Sequence, residues 1–211
     1  MKICMAQINT LVGDIAGNAQ RVLEVSAAQR DVGADMVVFP ELTLTGYPPE
    51  DLLLRADLLE RTNAALDQLC VQLPADLIVV VGYPRARGEA LFNSVGVIHE
   101  GQVLAEYDKQ CLPNYQVFDE KRYFRAGSEP CVVALRGLSV GLTICEDIWH
   151  AEPVAGAKAA GADILININA SPFHRGKQSE RLNRVSECAR AHQLPILYVN
   201  PVGGQDELVF D

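Results

Sequence analysis

Three residues of this chain have the types and placement needed to cleave an amide. Cys145 closes the apolar run Gly141-Leu142-Thr143-Ile144 and is followed at once by Glu146, Asp147, Ile148 and Trp149. A strand stops there and the chain turns, so the thiol can project into a cleft. Glu41 stands in a comparable setting after Val37-Val38-Phe39-Pro40, and Lys109 ends the alternating run Val103-Leu104-Ala105-Glu106-Tyr107-Asp108. A thiol, a carboxylate and an ammonium, each at a strand end, are the parts of a nucleophilic amide-cleaving site.

Each residue also has a plainer reading. Free cysteine packs like a small hydrophobe, and Cys4, Cys70, Cys131 and Cys188 are read that way. Cys145 departs from it, because Glu146 and Asp147 cannot be buried unpaired beside it without a large cost. Glu41 alone could cap a following helix, and a lysine at the end of a hairpin needs no explanation. The four histidines, His99, His150, His174 and His192, form no recognisable Cys–His arrangement. No phosphate-cradling loop is present: G-x-G-x-x-G, S-G-G-x-D-S and the P-loop pattern are all missing, and Val202-Gly203-Gly204 is a lone glycine pair. The chain therefore offers no ATP site and no expected cofactor or metal site.

Composition bounds the setting of this chemistry. A length of 211 residues with 49% hydrophobic content suits one globular domain with a full core. The net charge of −9 argues against a nucleic-acid or anionic-membrane surface. The six cysteines are scattered, without a C-x-x-C pair, which fits a reduced, cytoplasmic protein without disulfides or structural zinc. The N-terminus reads as no signal peptide, and no stretch is apolar enough to span a bilayer.

The elements that must position the three residues alternate along the chain. Strands are expected at Lys2–Ile8, Asp35–Phe39 and Leu77–Gly82, with helices at Asn18–Asp31 and Asp57–Leu73 between them. Pro40–Pro49 reads as a loop. Phe92–Ile98 and Val103–Lys109 read as a hairpin, followed by a long polar and aromatic loop over 110–130. Strands at Cys131–Leu135 and Leu138–Ile144, a helix at Pro153–Ala160, a strand at Ile164–Asn169, a helix at Gln178–His192 and a strand at Pro195–Asn200 complete the pattern. The expected class is α/β, layered, with a mixed sheet system.

The residues also resemble a family. Phe39-Pro40-Glu41-Leu42, Tyr107-Asp108-Lys109 with Leu112-Pro113-Asn114-Tyr115, and Ile144-Cys145-Glu146-Asp147 resemble the three signature segments of the nitrilase (carbon–nitrogen hydrolase) superfamily, in the same order. Five finer segments lie at 44–53, 114–124, 145–149, 169–173 and 203–211. They are similar to the glutaminase domains of glutamine-dependent NAD synthetases, and the resemblance covers essentially the whole chain. It implies a four-layer α-β-β-α sandwich whose subunits associate into a homo-oligomer. In that family the amidase domain continues further and precedes an ATP-dependent synthetase domain. The 211 residues are thus expected to be a C-terminally shortened amidase domain, with ATP, magnesium and deamido-NAD belonging to the absent domain.

The resemblance also implies roles. Cys145 would attack the side-chain amide of L-glutamine, Glu41 would act as general base and acid, and Lys109 would sit beside the oxyanion. Tyr115, Glu146, Ser171 and Lys177 match positions that contact the main-chain end of glutamine, with Glu146 suited to its ammonium and Lys177 to its carboxylate. Tyr47 would line the pocket or pack in its loop. Glu120 would be a second, structural carboxylate near Lys109 or an ordinary loop ion pair with Lys121 or Arg122. Two other readings stay open: a stand-alone amidase for another small amide, and a non-catalytic scaffold.

Overall fold

The computed structural model describes residues 1–211. The first half begins with strand β1 (Ile3–Met5), helix α1 (Ile15–Asp31), β2 (Met36–Val38) and α2 (Ala56–Gln72). It continues with β3 (Ile78–Arg87), β4 (Ala90–His99) and β5 (Gln102–Asp108). The five strands form one sheet in that order, parallel from β1 to β3 and antiparallel from there to β5. The second half holds β6 (Cys131–Leu135), β7 (Leu138–Ile144), α3 (Ala151–Ala159), β8 (Ile164–Ile168), α4 (Lys177–His192) and β9 (Ile196–Val199). These four strands make a second sheet, with β6 antiparallel and the others parallel.

The side-chain pattern sets the layers. In β2 and β3, Val37, Val79 and Val81 face a core shared with Ile15, Ala19 and Val22 of α1 and with Leu58, Ala65 and Leu69 of α2. Their neighbours Met36, Val38, Ile78 and Val80 face the other way, against Val140, Leu142, Ile144, Ile166 and Ile168 of the second sheet. Strands buried on both faces read as unbroken apolar runs, as these do. Val154, Ala157, Cys188 and Leu194 of the α3–α4 layer close over Leu165. The order is helices, sheet, sheet, helices. Asp14 caps α1 by accepting from Gly17 N at 3.1 Å. No helix is long and apolar enough to cross a membrane.

Some boundaries differ from the sequence reading. The first strand is three residues long rather than seven, because its neighbour β2 leads into Pro40, which has no N–H to donate to a ladder. β3 runs past Gly82 through Pro84, and with β4 it makes one long hairpin turning at Gly88-Glu89. Arg85 fastens that extension by pairing with Asp108 at 2.7 Å. Helix α1 starts at Ile15 and α3 at Ala151, each a turn or less before the expected position. Single 3-10 turns form at Glu50–Leu54, Glu120–Arg122 and Cys145–Trp149. A small hairpin, β10 (Gly203–Gln205) and β11 (Leu208–Phe210), went unread in a glycine-rich stretch of low strand preference. Asp206 makes its turn in the left-handed region at φ 53°, and Phe210 packs edge-on against Tyr47 at 6.4 Å.

Candidate active site

Glu41 follows Pro40 just past the end of β2 and is held from both sheets. Its backbone N–H donates to Asn169 O at 3.1 Å across the gap beyond β8. Its side chain is fully enclosed; Oε1 accepts from Lys109 Nζ and Asn93 Nδ2, both at 2.7 Å, and Oε2 accepts from Ala170 N at 2.9 Å. The loop lies directly on Gly82, where an added Cβ would sit 2.5 Å from Leu42 N and 2.7 Å from Pro40 O. Gly82→Ala is therefore expected to push the Glu41 segment out of place. The overpacking should cost ~1–3 kcal/mol of stability in chemical denaturation, with a loss of activity larger than that destabilisation explains.

Lys109 leaves the end of β5 fully buried, and its Nζ bridges Glu41 Oε1 at 2.7 Å and Glu120 Oε1 at 2.8 Å. Burial alone would drive the ammonium to give up its proton. Glu120 and Glu41 outweigh burial and hold its pKa well above the ordinary lysine value, so it is a cation. Glu120 pairs with Lys109, not with its chain neighbours; Arg122 turns away to Asp51 at 3.0 Å. Tyr47, itself buried, donates its hydroxyl to Glu120 Oε1 at 3.1 Å, and both line a cavity of about 170 Å³ with Pro48, Phe118 and Tyr123.

Burial pushes the Glu120 carboxyl up from 4.5 to about 7; Lys109 opposes the shift and Glu41 adds to it. A carboxyl with a raised folded-state pKa binds more protons folded than unfolded. Its contribution to stability is complete below pH 4.5 and is lost as pH rises through about 7. Glu120→Gln is thus expected to flatten the stability curve between those limits, read from urea unfolding at a series of pH values. An unchanged curve would count against this placement of the charge.

Cys145 opens the 3-10 turn at the end of β7 and is almost wholly buried. Its φ of 43° lies in the left-handed region, a conformation costing a non-glycine residue ~1–3 kcal/mol that surrounding contacts must offset. Burial raises the thiol pKa well above its ordinary value; Glu41 and Glu120 raise it further, while Lys109 opposes them. The resting group is the protonated thiol, so a base must act at the moment of attack. The 3-10 turn supplies no acceptor within itself for the N–H of Glu146, its second residue.

The other expected site residues lie around this centre. Glu146 is mostly enclosed; it accepts from the Tyr115 hydroxyl at 2.9 Å and lies 3.5 Å from His150 Nε2. Lys177, at the start of α4, places Nζ 5.0 Å from the centre of the Trp149 ring and 3.3 Å from Glu180. Ser171 is fastened by its neighbours: its N–H donates to Asn200 Oδ1 at 2.8 Å, and its hydroxyl accepts from Arg181 Nε at 3.3 Å. Asn93, the Ala170 N–H and Arg181 were not singled out in the sequence. Asn93 had a signal: it is a polar break, with Ser94, in the otherwise apolar run from Leu91 to Ile98.

A buried Glu–Lys pair thus stands beside a strained cysteine in a helix-sheet-sheet-helix frame. The carbon-nitrogen hydrolase family model matches residues 2–210, and the chain belongs to that family. Within it, the chain is 45% identical over 214 residues to the glutamine-dependent NAD(+) synthetase of Xanthomonas campestris pv. campestris, covering 100% of this chain and 39% of that protein. It is 44% identical to the enzyme of the same name from Aquifex aeolicus, over 100% of this chain and 37% of the relative. The solved glutamine-dependent NAD+ synthetase of Acinetobacter baumannii, in complex with adenosine diphosphate, superposes with a TM-score of 0.95 at 40% identity, over 99% of this chain and 40% of that one. An amidase of the nitrilase superfamily from Nesterenkonia shares the fold, with a TM-score of 0.89 at 24% identity over 100% of this chain and 80% of that one. The chain thus spans about two fifths of the length of the NAD(+) synthetases it matches.

Proposed function

We propose that these 211 residues are the glutaminase portion of a glutamine-dependent NAD(+) synthetase, releasing ammonia from L-glutamine through a Cys145 thioester. The observation that carries this reading is the Glu41–Lys109–Glu120 ion cluster buried beside Cys145. Sγ of Cys145 attacks the side-chain amide carbon as Glu41 takes the thiol proton. Oε1 of Glu41 already accepts two hydrogen bonds and Oε2 only one, so Oε2 has the free lone pair for that proton. The proton passes to the amide nitrogen, the C–N bond breaks, and ammonia leaves a glutamyl thioester. Glu41 then deprotonates water, hydroxide attacks the thioester carbon, and the proton returns to the departing thiolate as glutamate is released.

Lys109 has three N–H groups, two of them committed to Glu41 and Glu120. The third is free for the oxyanion, together with the backbone N–H of Glu146, which has no acceptor within its own turn. Glu146, with Tyr115, takes the α-ammonium of glutamine; Lys177 takes the α-carboxylate, with Ser171 at the same end. The ammonia serves an ATP-dependent amidation of deamido-NAD. No phosphate-cradling loop lies within the 211 residues, so we assign that step to none of them. The test is ammonia release from L-glutamine beside short aliphatic amides. Glutamine should be preferred through the Glu146 and Lys177 contacts, and faster hydrolysis of an aliphatic amide would overturn the substrate assignment.

A further inference from the structure

We propose that Asp147 is a positioning residue for the nucleophile, its carboxylate clamping the turn that presents Cys145 to the segment that carries Lys109. The inference rests on the reading of Cys145 and Lys109 given above. Asp147 is wholly buried. Oδ2 accepts from Ile144 N at 2.9 Å, the residue immediately before Cys145, and from the Tyr107 hydroxyl at 2.7 Å, two residues before Lys109. Oδ1 accepts from Gln110 N at 3.1 Å and Cys111 N at 2.8 Å, the two residues immediately after Lys109.

The donors come from the two sheets. Ile144 ends β7 of the second, while Tyr107 lies in β5 of the first and Gln110 and Cys111 leave its end. A carboxylate has about four lone-pair sites, and here all four are taken by fixed donors. The side chain is therefore held in one orientation, and it ties the two segments together. An ordinary helix cap would account for the bond to Ile144 alone. The other three bonds have no place in a cap: two hold the backbone immediately after Lys109, and the third holds the side chain of Tyr107 two residues before it. Cys145 also needs bracing, because its left-handed backbone would relax if Ile144 were free to turn. A carboxylate is required for this arrangement. An asparagine of the same shape would point its NH2 at one of the two pairs of donors, losing both bonds and setting donor against donor.

The experiment compares Asp147→Asn and Tyr107→Phe with the unaltered protein in three measurements: kcat and KM for L-glutamine, the rate of Cys145 alkylation by iodoacetamide followed by mass spectrometry, and thermal unfolding. Misplacing a reacting group by about 1 Å costs ~10²-fold in rate. Asp147→Asn should accordingly lower kcat about 100-fold with KM within about threefold, and slow the alkylation of Cys145 in the same sense. Tyr107→Phe removes one bond of the four and should cost about fivefold in both rates. It also keeps the proposal open to refutation if Asp147→Asn fails to fold. A drop in thermal stability with kcat and alkylation rate unchanged in both variants would overturn it and leave Asp147 a structural residue. If the unaltered protein releases no ammonia from glutamine, the substrate reading fails, and the alkylation ratio still decides whether Asp147 sets the reactivity of Cys145.

Discussion

Cys145→Ala should release no measurable ammonia from L-glutamine while unfolding with a normal, cooperative transition. The side chain removed is small, and alanine meets the same backbone strain at φ 43° as cysteine does, so the turn has no new reason to rearrange. A glutamine analogue bearing an electrophilic diazoketone should label Cys145 alone among the six cysteines. The others lack the machinery. Cys111 lies close by in sequence to Lys109, and burial and then the charge of Asp147 push its thiol up as burial does for Cys145, but the carboxylate beside it already accepts from four donors and has no lone pair left to take the proton. Cys188 is buried in the α3–α4 layer, with no ion cluster beside it. Labelling mainly at Cys111 or Cys188, mapped by peptide mass spectrometry, would overturn the assignment.

Loss of either half of the Glu41–Lys109 pair should be nearly as severe, and the two losses should differ in kind. Lys109→Met removes an oxyanion donor, which typically costs ~10²–10³ in rate. It also leaves Glu41 and Glu120 enclosed without their shared cation, and breaking a buried pair in this way costs ~3–5 kcal/mol. Glu41→Gln keeps the shape of the site and loses the base. Both thioester formation and thioester hydrolysis should slow, because one carboxylate serves the two steps. Quenched single-turnover runs separate them: the variant should show neither a fast burst of ammonia nor normal release of glutamate. Turnover of Glu41→Gln near the unaltered rate would reduce Glu41 to an anchor for Lys109.

Much of this arrangement is legible in the sequence, and the unread parts have physical reasons. β2 and β3 were visible as apolar runs because both their faces are buried. The strand-end positions of Glu41, Lys109 and Cys145 were visible because each interrupts an apolar or alternating run. The burial of Lys109 was not. A lysine at a hairpin end reads as solvated, and its two partners stand 68 residues before it and 11 after it, joined only in space. Asn93 and Asp147 went unassigned for a related reason. A polar side chain in or beside a strand shows that something must pair with it, but not with what. The C-terminal hairpin was missed because its strands are three residues each and draw their stability from Leu208 and Phe210 entering the first core.

The three reacting groups start from different sheets. Glu41 and Lys109 hang from the first sheet and Cys145 from the second, so the gap between base and thiol is the gap between the sheets. That gap is filled by Met36, Val38, Ile78, Val80, Val95 and Val97 on one side and by Val140, Leu142, Ile144, Ile166 and Ile168 on the other. These side chains touch no substrate, yet together they act as the gauge block that sets a reaction distance. A methyl group more or less at Val80 or Ile166 changes the thickness of the block by a fraction of an ångström, the scale on which attack geometry is decided. In this architecture the apolar interior is a length standard for the chemistry, and drift in its side-chain volumes is drift in the catalytic machine itself.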